Sequence, residues 1–372
     1  MVLTYPAQRC VLEHLEANKR FLVAARCPTI SRIDKSIPLQ ISYLRFKDDT
    51  IEINEIRYRF TSGRFQVQET AQQRRLRQSK ALSPGEVLLT VDTYPFYSTY
   101  VQVTYQATKN SLKISRSRRL PAKFENKAEA LREFQSILLG KRIVVKVGWL
   151  NIYQITQSVL KIPRDFPKLH VRCIHMYKYD VTWIKKLLDP KSFPLKCLKV
   201  YSWEQAYNKD TMVTGADSVG LVASLFSHNS PDYWYDVILK ANNRTVDMWN
   251  LKFSTEQILS LMGNLVEKGR DIGSRYVLEC TRLRKLKTIL KEAEERYGGA
   301  KVAVKGLKNN KFIATKIISI PFASPTNAEI VVYGVKEKKG YTISINVMKK
   351  GSTTPVEKKK EKKTIFGIPW FN

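Results

Sequence analysis

From residue 125 onward, strand-like and helix-like segments alternate along the chain, and this alternation limits the folds that it can adopt. Candidate strands centre on Cys173, Leu198, Met248 and Leu278, so the steps between them are 25, 50 and 30 residues. Steps of roughly 20 to 30 residues indicate repeat architectures, in which each unit buries its apolar face against its neighbours. The double step indicates one weak unit. We therefore predict an irregular leucine-rich-repeat-like β/α array over residues 125–300.

Helical periodicity supports this array. The segments NKAEALREFQSILLG, TEQILSLMGNLVEKG and RLRKLKTILKEAEERYGG each repeat apolar residues three or four apart and end in glycine. Such a pattern predicts amphipathic helices, and a glycine just past the last turn is typical of a helix C-terminus. The segment RIVVKVGWLNI follows the first of these glycines and predicts a strand.

Residues 37–124 show alternation of period two instead. Leu39 and Ile41 alternate, then Leu44 and Phe46, and a second arm follows the turn at 47–49 and runs to Phe60. Each arm changes parity once, which predicts a β-hairpin with a bulge in each arm. We predict further strands at Val87–Thr93 and Tyr100–Gln106, with a polar loop over 71–85.

Both ends of the chain differ from this middle part. Residues 3–27 predict two short helices, because Pro6 suits a first helical turn and apolar residues follow at helical spacing. Pro28 ends the second helix by biasing Cys27 away from helical geometry. Residues 301–350 alternate around two turns and predict two hairpins. The whole is an α+β chain, with a helical segment over 1–36 and a flexible basic tail over 351–372.

The charge balance is strongly positive, with 64 Lys and Arg against 33 Asp and Glu, a net charge of +31. Such an excess favours polyanions or acidic protein surfaces as partners. Arg-rich segments at 74–77 and 116–119 lie near aromatic residues at 94–100, as in nucleic-acid-binding proteins. No recognition helix, RNA-binding signature or zinc finger accompanies them. A nucleic-acid-binding or chromatin-associated module is therefore the alternative function.

The cysteines and the hydropathy pattern bear on the compartment. Five scattered cysteines without CxxC spacing indicate reduced thiols of an intracellular protein. The run FLVAA is too short for a signal peptide, and no stretch approaches the roughly 20 apolar residues that a bilayer span needs. We expect a soluble protein of the cytoplasm or nucleus, without a membrane partner.

No catalytic or metal-binding set emerges from the residues. In the strand HVRCIH, Cys173 and His175 share a face but His170 does not, and a closed zinc site needs four ligands. The segment Ala216–Gly220 holds Ser218, but no apolar strand precedes it as a nucleophile elbow requires, so we predict a loop there. Cys27 lies among apolar neighbours and indicates a small buried side chain. We expect no catalytic residue, no metal and no cofactor, hence a non-enzymatic protein.

The stretch LTYPAQRCVLEHLEANKRFLVAARCPTISRIDKSIPLQI resembles the start of the nematode F-box C family. Further similarity lies in LKIPRDFPKLHV, SFPLKCLKV and EIVVYGV, so the resemblance covers most of the chain. Members carry a short F-box-like segment followed by an associated domain of unknown function. A full F-box is longer and ends in Lys-x-Trp, which Pro-Thr-Ile replaces at 28–30.

This resemblance implies a substrate adaptor. An F-box docks on the Skp-type linker of a cullin–RING ubiquitin ligase, and a distal repeat domain captures the substrate. The residues matching the F-box pattern are Leu3, Pro6, Val11, Leu12, Leu15 and Leu22, followed by Ala25 and Cys27. We expect the first six to contact the linker and strands within 169–281 to recognise an unknown substrate protein. The residues alone leave a second interpretation open, in which Val11, Leu12 and Leu15 pack against the hairpin at 39–60.

Overall fold

The computed structural model describes residues 4–47, 50–66, 97–109, 112–119, 127–153, 166–177, 184–202, 210–223, 231–280, 282–304, 312–323, 327–338 and 340–356. The chain divides into two compact units, Met1–Leu195 and Lys196–Asn372. This division does not test the domain limits predicted from the sequence, which stay predictions. Within the described ranges, every helix falls short of the length and apolar character that a bilayer crossing requires.

The first unit combines four helices with seven strands in its described part. The helices are α1 (Tyr5–His14), α2 (Ala17–Ala24), α3 (Pro28–Lys35) and α4 (Lys127–Leu139). The strands are β1 (Leu39–Lys47), β2 (Thr50–Ile53), β3 (Ile56–Gln66), β4 (Tyr97–Lys109), β5 (Leu112–Arg119), β6 (Val145–Tyr153) and β7 (Leu169–Tyr177). Their order in the sheet is β7-β6-β1-β2-β3-β4-β5. Strands β1 to β5 form an antiparallel meander, whereas β1, β6 and β7 are parallel.

The bulge predicted in the second arm of the hairpin is wrong. The parity change there is a two-residue turn that separates β2 from β3, with Ile53 paired to Ile56. Asn54 has φ of 55° in this turn, a left-handed conformation that Asn tolerates better than most residues. The first arm has no bulge against β6 either, since the register runs from Leu39↔Val145 to Lys47↔Tyr153 without an inserted residue.

The two helices predicted over residues 3–27 are confirmed as α1 and α2, and a third helix, α3, follows them. Pro28 does end the preceding helical stretch, because Cys27 is extended with φ −139° and ψ 111°. The same proline occupies the first turn of α3, where its missing N–H costs nothing. Helix α1 packs on α3 through the buried Leu12, Ile33 and Ile37.

The second unit begins with parallel strands and ends with antiparallel ones. Its described helices are α5 (Thr211–Thr214), α6 (Pro231–Lys240), α7 (Thr255–Lys268) and α8 (Leu283–Arg296). Its strands are β8 (Cys197–Ser202), β9 (Ser218–Ala223), β10 (Thr245–Trp249), β11 (Arg275–Cys280), β12 (Ala300–Val304), β13 (Ile317–Pro321), β14 (Ala328–Glu337), β15 (Gly340–Lys349) and β16 (Thr353–Pro355). Strands β8 to β11 lie side by side in chain order and parallel.

Strand β9 is the weak unit that the 50-residue step indicated. It begins at Ser218, so the prediction of a loop at Ala216–Gly220 is wrong for its second half. The apolar residues of this strand follow Ser218 instead of preceding it, and residues 219–223 are all buried. The mixed α/β class with a stretch of parallel strands is thereby confirmed.

The C-terminal hairpins also form. Strands β14 and β15 pair along their full length, and β12 pairs antiparallel with β13. Strand β15 pairs antiparallel with β11, which ends the parallel run. Strand β16, at the start of the segment predicted as a flexible tail, pairs with β12.

Some predictions from the sequence lie outside the described residues. They concern Leu3, the loop at 71–85, the strand Val87–Thr93 and the tail beyond 356. The strand predicted at Tyr100–Gln106 is confirmed within β4.

Candidate protein-binding surfaces

The predicted docking residues of the N-terminal helices divide into exposed and buried groups. Val11 and Leu22 are 48% and 54% exposed, and Pro6 is also exposed. Leu12 is only 3% exposed because it packs against α3, and Leu15 lies half-buried beside the same cluster. Leu3 lies outside the described residues. The apolar face of α1 is therefore partly an internal contact and partly available to a partner.

Tyr5 is an exposed residue of this segment that the sequence pattern did not single out. Its side chain is 55% exposed on the first turn of α1. One interpretation of the sequence has the α1 face pack on the hairpin. Leu12 does not do so, because its buried partners are Ile33 and Ile37. Large exposed apolar side chains thus occur on both α1 and α2.

Three buried charges join α2, α3 and the segment that follows α4. The guanidinium Nε of Arg20 in α2 donates to Oδ1 of Asp34 in α3 at 2.6 Å. Oδ2 of the same carboxylate accepts from Nη2 of Arg142, which follows α4, at 2.5 Å. All three side chains are at most 2% exposed. The sequence analysis missed this cluster, because nothing local distinguishes Arg20 from the exposed Lys19.

The remaining guanidinium donors of this cluster are satisfied by backbone oxygens. Arg20 donates to the carbonyl oxygens of Pro38 and Asp34, and Arg142 donates to those of Leu138 and Asp34. Burial lowers the pKa of Arg142, an effect opposed by its hydrogen bond to Asp34. Buried charges need such complete pairing, since each loses its hydration shell.

A second set of polar contacts joins α2 to the hairpin. Glu16 caps the N-terminus of α2 by accepting from the backbone N–H groups of Asn18 and Lys19. The Asn18 amide donates to the carbonyl oxygen of Ile53 at 2.9 Å and accepts from the Tyr58 hydroxyl at 3.1 Å. The helical segment is therefore fixed to the sheet at two places.

The first unit also presents a patterned strand surface, which we name the cationic–aromatic face. Parallel pairing aligns residues of β1, β6 and β7 in rows, and residues paired across strands lie on the same side of a sheet. Two rows are Tyr43–Trp149–Cys173 and Arg45–Asn151–His175. In the third row, Lys47 pairs with Tyr153, whose ring contacts that of Tyr177. The opposite side of the sheet is covered, since Phe134 of α4 packs on Tyr58 and Phe60.

Tyr153 is the centre of the third row and of a cation–π cluster. The Arg45 guanidinium lies 5.3 Å and the Lys47 ammonium 5.6 Å from the centroid of its ring. The Tyr177 ring approaches from the neighbouring strand at 4.1 Å with an interplanar angle of 62°. His175 lies 5.0 Å from Tyr177.

Asn151 is a buried polar residue of the cationic–aromatic face, with 8% exposure. Its amide nitrogen donates to the Tyr43 hydroxyl at 3.4 Å and lies 3.4 Å from His175 Nδ1. Its Oδ1 has no hydrogen-bond partner among the described residues. Burial raises the pKa of Tyr43, so this hydroxyl stays protonated near neutral pH.

Strands β2 and β3 continue this face with further charges. The register places Glu52 and Arg57 beside Arg45, and Thr50 and Arg59 beside Lys47. Glu52 pairs with both Arg45 and Arg57, at 3.5 Å and 3.2 Å. Among these described side chains, four cations meet one carboxylate, so the face is positively charged.

The strand surface of the second unit is built differently. Register aligns Lys199, Gly220 and Asp247, and the Lys199 ammonium lies 5.9 Å from the centre of the Trp249 ring. Burial raises the pKa of Asp247, although the charges of Arg275 and Lys199 oppose the shift. Asp247 Oδ1 and Trp249 Nε1 have no hydrogen-bond partner in the described part of the chain.

The residues considered for chemistry are dispersed. His170, Cys173 and His175 lie on β7, as the predicted strand requires. No group of three or more metal-ligating side chains occurs within the described ranges. Cys27 is half-buried between α2 and α3, and Ser218 opens β9.

Comparison with known proteins gives one match. Residues 126–282, less than half of the chain, match the model of a family described as a domain of unknown function (DUF3557). No curated protein matches the chain. No solved structure matches it.

Proposed function

We propose that this protein is a non-enzymatic, F-box-like adaptor. Its N-terminal helices dock on the Skp-type linker of a cullin–RING ubiquitin ligase, and its strand surface holds a substrate protein. The observation that carries this proposal is the exposure of Tyr5 and Val11 on α1 and of Leu22 on α2. Helix α1 packs on α3 through Leu12, and a buried ion pair joins α2 to α3.

Exposed apolar side chains on a rigidly held helical segment suit recognition by another protein. A helix docks in a groove through a few apolar anchors, and large apolar side chains in water favour burial by a partner. Val11 and Leu22 are also among the positions at which the sequence resembles an F-box. Buried pairing of Arg20 with Asp34 keeps α2 and α3 ordered before the linker arrives, which lowers the entropy lost on binding.

Co-purification with a Skp-type linker tests this proposal. The informative variant is Val11→Asp combined with Leu22→Asp, because both side chains are exposed and their loss leaves the Leu12 cluster intact. We expect the wild-type chain to retain the linker through size-exclusion chromatography and the double variant to lose it. Leu12→Asp is unsuitable, since a buried carboxylate there would unfold the segment.

The matched control is Ile272→Asp, which places the same charge at a site in the second unit that is 50% exposed. This variant should retain the linker. Absence of any complex with the wild-type chain, or equal capture by the double variant, would contradict the docking proposal.

The alternative function is nucleic-acid binding, and the cations of the cationic–aromatic face favour it. It requires affinity for RNA or DNA that falls steeply with salt, because each phosphate contact releases counterions. Filter binding at about 50 mM and about 200 mM salt measures this dependence. Several phosphate contacts together change the affinity by orders of magnitude over that range. Absent or salt-insensitive binding excludes the alternative.

A further inference from the structure

We propose that the cationic–aromatic face binds an acidic protein segment in extended conformation. This inference rests on the adaptor function proposed above and names the class of substrate that the adaptor would take. It concerns the side chains of β1, β6 and β7, with β2 and β3 as their continuation, all within the first unit.

Charge complementarity is the first argument. Arg45, Lys47, Arg57 and Arg59 occupy neighbouring positions of this face, and Glu52 is the one carboxylate among the side chains described there. Lys47, Arg57 and Arg59 are exposed. Carboxylates spaced along a ligand would therefore be attracted from solution and held at several points.

The spacing of the rows favours an extended chain. Adjacent strands lie about 4.8 Å apart, whereas alternate side chains of an extended peptide lie about 6.6 Å apart on the same side. Alternate side chains of a strand have the same spacing of about 6.6 Å. A peptide lying along the strands can therefore place alternate side chains over Arg45 and Lys47 of β1, or over Arg57 and Arg59 of β3. Acidic residues at every second position would then meet the cations, with the residues between them facing water.

Asn151 supplies the recognition of peptide backbone. It is more than nine-tenths buried, and its Oδ1 accepts no hydrogen bond from the described residues. A buried acceptor without a donor costs free energy. This oxygen is covered in the free protein, so a ligand N–H satisfies it once a neighbouring side chain of the face moves aside. Because every peptide unit other than proline carries an N–H, this contact selects polypeptide without selecting a particular side chain.

The cation–π cluster disfavours stacking of a nucleic-acid base on Tyr153, whereas Trp149 of the same face is 47% exposed. Binding of single strands relies on open aromatic faces on which bases stack. Here the cations of Arg45 and Lys47 lie over the Tyr153 ring, and the Tyr177 ring lies beside it at 4.1 Å. The aromatic rings thus position the cations, whose charge remains directed at the ligand.

Fluorescence anisotropy of the full chain with a labelled (Glu-Thr)5 peptide tests the proposal. We expect saturable binding that weakens with salt and no binding of a (Lys-Thr)5 peptide. Lys47→Glu should weaken binding of the acidic peptide about tenfold, the size of a lost charge contact of about 1.4 kcal/mol. Asn151→Leu removes the acceptor and should weaken binding several-fold.

The control is Lys191→Glu, the same charge reversal at an exposed position of the first unit outside this face. It should bind like the wild type. Circular dichroism and thermal melting should show that Lys47→Glu and Asn151→Leu remain folded. If Asn151→Leu unfolds, Lys47→Glu alone decides the result.

Three outcomes would overturn the inference. They are no binding of the acidic peptide, equal binding by Lys47→Glu and wild type, and displacement of the peptide by oligo(U) at lower concentration than by unlabelled peptide. The linker experiment separates this inference from the adaptor proposal. Lys47→Glu should retain the linker, whereas the variant with Val11→Asp and Leu22→Asp should still bind the peptide.

Discussion

A cluster of three buried charges determines how α2 and α3 are held. Asp34 accepts from two guanidinium groups that come from α2 and from the end of α4, regions more than 100 residues apart in sequence. Isolated buried ions are strongly disfavoured, so each member of this cluster depends on the others. The segment carrying the proposed docking side chains is consequently part of the first unit's fold.

Asp34→Ala should strongly destabilise the protein. It leaves Arg20 and Arg142 buried without a counter-ion, and removal of one partner from such a cluster costs about 3–5 kcal/mol. Urea denaturation monitored by circular dichroism measures the loss. Glu13→Ala is the control, because it removes an exposed pair with Arg9 and should leave the midpoint nearly unchanged. Equal midpoints for both variants would refute the structural role of the cluster.

Replacing Asp247 should stabilise the protein, in contrast to replacing Asp34. Burial raises the pKa of its carboxyl, so the folded state binds a proton more tightly than the unfolded state. Stability from this group is then greatest at low pH and is lost as pH rises through the folded-state pKa. Asp247→Asn should raise the melting temperature at pH 7, and the gain should shrink toward pH 4. A variant that melts lower than wild type at pH 7 would show that the charged form is stabilised.

Strands β1 and β6 approach each other so closely at Gly148 that no side chain fits there. A Cβ at Gly148 of β6 would lie 2.7 Å from the carbonyl oxygen of Ser42 in β1, where these strands pair. Asn54 holds the same part of β1, because its Oδ1 accepts from the N–H groups of Ser42 and Tyr43. The parity change in β1 is thus fixed by neighbours on both sides.

Gly148→Ala should destabilise the fold by about 1–3 kcal/mol, as overpacking against backbone does. Gly220→Ala in β9 is the matched comparison, because its Cβ would meet only the Lys199 side chain, at 3.1 Å from Cγ. That side chain can move, and Gly→Ala exchange gains about 0.4–1 kcal/mol through the unfolded chain, so the net effect should be small. Chemical denaturation of both variants checks the difference, and a larger loss for Gly220→Ala would contradict it.

Elements with strong periodicity could be predicted from the sequence, whereas special contacts could not. Helix α7 and strands β10 and β11 follow from apolar spacing alone. A two-residue turn and a bulge both reverse the alternation of apolar residues, so the sequence pattern does not distinguish them at Asn54. Strand β9 was missed because its apolar run is short and follows Ser218. Strand β16 could not be predicted, because Thr353–Pro355 shows no apolar alternation and forms by pairing with β12.

Within the candidate sites, the sequence predicted docking residues by resemblance but not their burial. Helical spacing places Val11, Leu12 and Leu15 near one another, yet only tertiary contacts with α3 decide that Leu12 is inside and Val11 outside. The cationic–aromatic face could not be predicted, because parallel pairing of β1 with β6 joins residues over 100 positions apart.

At the scale of the whole molecule, we propose two binding activities that reside on different surfaces. We propose that the N-terminal helices bind a linker through exposed apolar side chains, and that the strand face of the first unit binds an acidic segment. Each activity has a variant that should remove it and leave the other. Linker binding is the central proposal, because an adaptor that binds no linker recruits no substrate to the ligase.

Hydrogen–deuterium exchange of the full chain with and without a Skp-type linker tests this central claim most directly. We predict new protection of backbone amides in Tyr5–His14 and Ala17–Ala24, with exchange of the cationic–aromatic face unchanged. Amide protection reports burial of backbone on binding independently of any substitution. Unchanged exchange in both helices at saturating linker, or protection confined to the strands, would contradict the account.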